Sequence, residues 1–160
     1  MTLQVENVTG GYTQLPVLKN IDFSIADGEL VGLIGLNGAG KSTTIKEIIG
    51  LLQPHTGKIT INGLSLKEDP QAYRKQIGYI PETPSLYEEL TLKEHIEVTA
   101  MAYDIPKDVA LQRAERLLKT FRLENKLDWF PANFSKGMKQ KVMVLCAFLI
   151  EPSLYIIDEP

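Results

Sequence analysis

Residues 30–51 run from an unbroken apolar stretch through a glycine-rich turn into a helical pattern, and few folds accommodate that succession. Leu30-Val31-Gly32-Leu33-Ile34 predicts a buried strand, and Thr43 to Leu51 predicts the helix that follows. Between them, Gly35-Leu36-Asn37-Gly38-Ala39-Gly40-Lys41-Ser42 fits Gly-x4-Gly-Lys-[Ser/Thr], a phosphate-binding loop. Glycines let successive backbone N–H groups turn inward, and the positive end of the next helix adds to the nest they form. Lys41 is placed to reach the β- and γ-phosphates of a nucleotide, and the Ser42 hydroxyl to ligate Mg²⁺. Residues 35–43, with Thr43 opening the helix, are the predicted nucleotide-binding set.

A chain of 160 residues can bury one sizeable core, and 44% hydrophobic with 23% charged residues fits a globular protein. The net charge of −3 lacks the basic excess of a nucleic-acid surface, so no nucleic-acid partner is expected. A lone Cys146 excludes an internal disulfide and suits a reducing compartment. The start, Met1-Thr2-Leu3-Gln4-Val5-Glu6, has neither the basic nor the apolar region of a signal peptide. The longest apolar run, Val142 to Ile150, falls far short of the ~20 residues that span a bilayer. Any membrane association is therefore expected through a partner.

Leu3 to Val8 and Val17 to Ile25 read as strands, separated by Gly10-Gly11-Tyr12, a turn that presents an aromatic ring. Past the loop helix, Lys58 to Ile61 reads as a strand, Asn62-Gly63 as a tight turn and Pro70 to Gln76 as a short helix. Ile77 to Ile80 reads as a buried strand, and the prolines of Pro81-Glu82-Thr83-Pro84 demand a loop. The pattern then becomes helical. Thr91-Leu92-Lys93-Glu94 is a capping box opening a helix that reaches about Tyr103. A second helix carries Ala110, Ala114, Leu117, Leu118 and Phe121 on one face, and a third begins at Ser135. Leu154 to Ile157 is a continuous apolar strand, as expected inside a parallel sheet. Cys146 and the aromatic group Trp129, Phe130 and Phe134 read as packing residues; His55 and His95 read as surface residues.

In this order the motifs resemble the nucleotide-binding domain of an ABC transporter, over nearly the whole chain from Tyr12 to Glu159. The resemblance implies an α/β fold: a P-loop NTPase core with N-terminal antiparallel β strands and an inserted α-helical subdomain, incomplete at the C-terminus. It divides the chain into a core over 1–89, inserted helices over 90–134, and a signature helix with its following strand over 135–160. In that family an aromatic ring upstream of the phosphate loop stacks on adenine, and Tyr12 stands at the matching place. Phe134-Ser135-Lys136-Gly137-Met138 aligns with the signature Leu-Ser-Gly-Gly-Gln, keeping Ser135 and Gly137. There Ser135, Lys136, Gly137 and Met138 would face the γ-phosphate held by an opposite subunit, at a helix start that favours an anion. Leu154 to Asp158 matches the Walker B strand, which would bring Asp158 to the Mg²⁺ shell, with Glu159 as the general base.

Glu82 departs from the family, standing where glutamine is usual; a carboxylate there is still a Mg²⁺ ligand, so ATP and Mg²⁺ are the expected cofactors. With the Phe-Ser-Lys-Gly-Met variant, Glu82 points to the bacterial ATPases of ABC-2 and Ecs-type exporters. The resemblance implies a dimer of such domains with ATP at the interface, docked on an integral membrane transporter subunit. The place is then cytoplasmic, peripheral on the inner face of the cell membrane. Two alternatives stand beside this reading: a nucleotide-binding fragment that does not hydrolyse ATP, and a non-transport ABC ATPase of translation or DNA repair.

Overall fold

A computed structural model describes residues 2–158. Glu159 lies outside the described residues. The chain forms two compact units, Met1–Ile77 and Gly78–Pro160.

The first unit is built on an antiparallel sheet. Strand β1 (Leu3–Gly10) pairs antiparallel with β2 (Leu18–Ile25) on one side. On its other side, after helix α1 (Lys41–Ile48), it pairs antiparallel with β3 (Thr56–Ile61), which carries the short β4 (Leu64–Ser65) at the edge. The β3–β4 turn is Asn62-Gly63, with φ of 50° and 81°, the left-handed pair that a two-residue hairpin needs. Simple alternation would not bury Leu3, Val5 and Val8 on one face, yet all three are in the core. An extra residue in β1 between Val5 and Val8, where Asn7 takes φ 48°, resets the alternation. Strand β2 answers with its own extra residue between Ile21 and Leu18, where Asn20 takes φ 49°, and the pairing Gly10↔Leu18 returns to the original phase. Both bulges are tied across the hairpin: the Asn7 amide donates to Asp22 Oδ1 at 2.8 Å, and the Asn20 amide to Thr9 Oγ1 at 3.0 Å.

Helix α1 buries Thr43, Thr44, Glu47 and Ile48. Helix α2 (Pro70–Lys75) starts on Asp69, whose side chain accepts from the Gln71 and Ala72 amides. Its Tyr73 is buried, donates to the Ile48 carbonyl at 2.7 Å, and so ties α2 to the C-terminal end of α1. Burial pushes the Tyr73 phenol up to about 12.

In the first unit one expectation fails. Residues 29–36 form no strand, and Leu30, Ile34 and Leu36 are 97%, 95% and 85% exposed. A central strand takes its hydrogen bonds from flanking strands, and no described strand pairs with this segment.

Strand β5 (Ile77–Ile80) leads into the second unit, where helices α3 (Leu92–Ala102), α4 (Lys107–Phe121) and α5 (Lys136–Ile150) pack together. Their core is Leu92, Ile96, Ala114, Leu118, Leu123, Phe134, Val142, Leu145 and Leu149. The Thr91–Glu94 capping box of α3 forms in both directions. Arg113 on α4 donates to the Leu149 carbonyl at 3.0 Å and pairs with Glu151 at 2.6 Å, so a side chain satisfies an orphan carbonyl at the end of α5. Cys146 packs against this core, where burial pushes its thiol up to about 11.

Among the described residues, strand β6 (Leu154–Ile157) pairs with β5 alone. Gly78 lies against Pro152 and Tyr155, and the Asp158 amide donates to the Ile80 carbonyl at 2.9 Å, so the two strands run the same way. With a single described neighbour, β6 buries Leu154 but leaves Tyr155 and Ile157 exposed, less burial than its apolar run predicts. His95 corrects the reading in the opposite direction: it is only 6% exposed and belongs to the interior. Among the described residues, no helix is long and apolar enough to cross a membrane.

Candidate functional site

In the first unit the phosphate loop ends on Gly40, the N-cap of α1, at φ 95°. A side chain on Gly40 would meet Leu18 Cδ2 at 2.6 Å, so glycine is needed there both for conformation and for the approach to β2. Gly38 also takes a positive φ, 80°, but with open space around it. Lys41 folds back over the loop, its ammonium donating to the Gly35 carbonyl at 2.8 Å and to the Leu36 carbonyl at 3.2 Å. The structure thus brings Gly35, Leu36 and Lys41 together, with Asn37, Gly38 and Ala39 in the exposed turn between them. Among the described residues no side chain caps the start of α1, and its first turn holds no acidic residue. An anion is what such a helix start accommodates, so this loop fits a nucleotide phosphate. Ser42 is exposed on the same turn, a hard oxygen donor of the kind Mg²⁺ takes, while Thr43 is buried.

Tyr12 lies in the β1–β2 connection with its ring 59% exposed. Lys46 of α1 donates to its hydroxyl at 3.0 Å and lies 5.2 Å from the ring centroid. The hydrogen bond from Lys46 holds the phenol below its ordinary range, with a smaller contribution from Thr43. Sequence reading missed Lys46, because its partner is 34 residues away. A cavity of ≈ 500 Å³ in this unit is lined by Glu47, Lys58, Tyr73 and Arg74, among others, and touches none of the predicted site residues.

In the second unit Ser135 is the N-cap of α5, accepting from the Met138 amide at 3.3 Å. Ser135, Lys136 and Gly137 are exposed, and Gly137 has open space around it. Asp158 follows β6 and accepts a hydrogen bond from the Tyr79 hydroxyl at 3.4 Å. Glu82 is exposed in the loop after β5. Since β5 and β6 are parallel, Glu82 and Asp158 leave the ribbon at the same end.

The loop that carries Glu82 is held at its far end by His95, read from the sequence as a surface residue, and by Lys139, which the sequence did not single out. His95 Nε2 accepts from the Tyr87 amide at 3.0 Å while Nδ1 donates to the Thr91 carbonyl at 2.8 Å, a pairing that the neutral Nδ1–H form satisfies at both nitrogens. Lys139, in the first turns of α5, pairs with Glu88 at 3.1 Å. The Glu82 loop is therefore anchored to α3 and to α5. The aromatic group is partly as expected: Phe134 is buried and stacks on Trp129 at 6.2 Å, whereas Trp129 and Phe130 are 39% and 41% exposed.

Residues 18–160 match the family described as ABC transporter. The chain is 64% identical over 158 residues to the ABC-type transporter ATP-binding protein EcsA of Bacillus subtilis (strain 168), covering 99% of this chain and 64% of that protein. It is 39% identical over 158 residues to the SkfA peptide export ATP-binding protein SkfE of the same organism, covering 99% of this chain and 65% of the relative. A solved structure titled as the ATP-binding subunit of an ABC transporter superposes with a TM-score of 0.95 at 58% identity, over 98% of this chain and 65% of that one. The chain thus spans a little under two thirds of the length of these relatives.

Proposed function

The chain belongs to the ABC transporter family, and from that premise we propose that it is the nucleotide-binding part of an ATPase subunit that drives export through a membrane partner. The observation that carries the reading is the phosphate loop: Lys41 closes over Gly35 and Leu36 in front of a helix start that no side chain caps. Residues 35–43 would hold the nucleotide phosphates, with Tyr12 as the platform for the base. Ser42, Asp158 and Glu82 are oxygen donors suited to Mg²⁺, which when bound would neutralise phosphate charge. Glu159 is proposed as the base that orients the attacking water. Ser135, Lys136, Gly137 and Met138 would face the nucleotide of a second such subunit.

The regions 1–89, 90–134 and 135–160 are read as catalytic core, inserted helices, and signature helix with Walker B strand. A peripheral place on the cytoplasmic face of the membrane, by way of the partner, follows from the same reading. Export finds support in the likeness to SkfE, a peptide export ATP-binding protein, and an Ecs-type partner in the likeness to EcsA.

The test is equilibrium binding of MgATP to the full-length protein and to its Lys41→Ala variant. Removal of the ammonium is expected to weaken binding by about a hundredfold, the worth of a charge-assisted contact to phosphate. Equal affinities would overturn the phosphate-loop reading.

A further inference from the structure

The loop that carries Tyr12 is closed at its base, where the Val17 amide donates to the Gly10 carbonyl at 2.8 Å. The ring is another matter. At 59% exposure, packing does not decide where it points, and an exposed rotor loses free energy when a ligand immobilises it. What constrains it is α1. Lys46 reaches the hydroxyl, and Thr43, one turn earlier on the same face, also acts on the phenol. The next residue, Glu47, is packed so tightly against Gly10 that a side chain there would collide with its carboxylate. One helix therefore grips the base of the loop through Glu47 and its aromatic tip through Lys46, while its own first residue, Lys41, belongs to the phosphate loop.

We propose that Lys46 is a positioning residue for base recognition: by holding the Tyr12 hydroxyl it presets the ring for stacking on a purine base. Five helical residues, about 7.5 Å of rise, then set the spacing between phosphate anchor and base platform. The proposal rests on the reading of Tyr12 as that platform. It assigns Lys46 no contact with the nucleotide; its effect passes through the phenol.

The experiment measures two affinities in the full-length protein, for MgATP and for Mg-tripolyphosphate, which has the phosphates without the base. Lys46→Met is expected to weaken MgATP roughly three- to tenfold, the worth of one immobilised side chain, and to leave tripolyphosphate unchanged. Lys46→Arg, which still donates to the phenol, is expected to restore MgATP affinity. In a Tyr12→Phe background Lys46→Met should add nothing, because the hydroxyl it acts through is gone. A titration of phenol absorbance supplies the independent signature: the step that Tyr12→Phe removes should move to higher pH in Lys46→Met and stay in place in Lys46→Arg. Equal weakening of both ligands, additivity with Tyr12→Phe, or an unmoved phenol step would overturn the proposal. Tyr12→Ala separates it from the reading beneath it. If Tyr12→Ala leaves MgATP affinity intact, Tyr12 is no platform; if Tyr12→Ala weakens binding and Lys46→Met does not, only the role of Lys46 falls.

Discussion

The phosphate loop has two flanks with opposite fates: the more apolar one is exposed, and the more polar one is packed. Leu30 to Ile34, on the way in, pairs with no described strand and is largely exposed; α1, on the way out, is buried along one face and tied to α2 through Tyr73. The difference lies in where each element finds its hydrogen bonds. A helix satisfies its backbone within a few residues, so a short window of sequence suffices to form it. A strand borrows every bond from a neighbour, and its burial depends on segments that the window does not contain.

The sharpest way to break this comparison is to truncate matched isoleucines on the two flanks. Ile48→Ala, at a 6% exposed position in α1, is expected to cost the 160-residue chain about 3 kcal/mol in urea unfolding. A loss below about 1 kcal/mol would mean that α1 is not packed as described. Of intermediate size is Glu47, on the buried face of the same helix, whose carboxylate oxygens find no hydrogen-bond partner among the described residues. Desolvation raises its pKa, against a smaller opposing pull from His55. The folded state therefore holds the proton to higher pH than the unfolded chain does. The cost of the buried charge is absent below the ordinary carboxylate pKa of about 4.3, and grows as pH rises through the folded value. Glu47→Gln should accordingly stabilise the protein by about 1 kcal/mol at pH 7.5 and hardly at all at pH 4. Unfolding at the two pH values checks this, and an equal gain at both would show that charge is not the cause. Smallest of all, Ile34→Ala at a 95% exposed position should change stability by less than about 0.5 kcal/mol. A cost like that of Ile48 would reveal packing around the loop's entry segment.

The same contrast explains what the sequence made legible. The Thr91–Glu94 box, the Ser135 cap and the Asn62-Gly63 turn are signals contained within four residues, and all three are found. The phosphate loop's glycines were legible for the same reason. His95 was misread because its burial depends on an amide presented by a loop eight residues earlier, and Lys46 was overlooked because its partner approaches from another strand connection. The exposure of Tyr155 and Ile157 in β6 was equally hidden, being decided by the number of strand neighbours. Neither bulge could be anticipated from Asn7 or Asn20 alone, since an extra residue exists only relative to the strand opposite.

That last pair has a consequence for how this hairpin can change over generations. The two insertions cancel like opposite entries in a vernier scale: β1 advances one step at Asn7, β2 recovers it at Asn20, and Gly10 meets Leu18 as though neither had happened. Loss of either residue alone would slide every later pairing by one and turn core side chains outward. Loss of both would leave the far end in phase. The unit on which lineage drift can act here is thus a matched couple on two strands, and the connection bearing Tyr12 keeps its mounting only while the couple is inherited together.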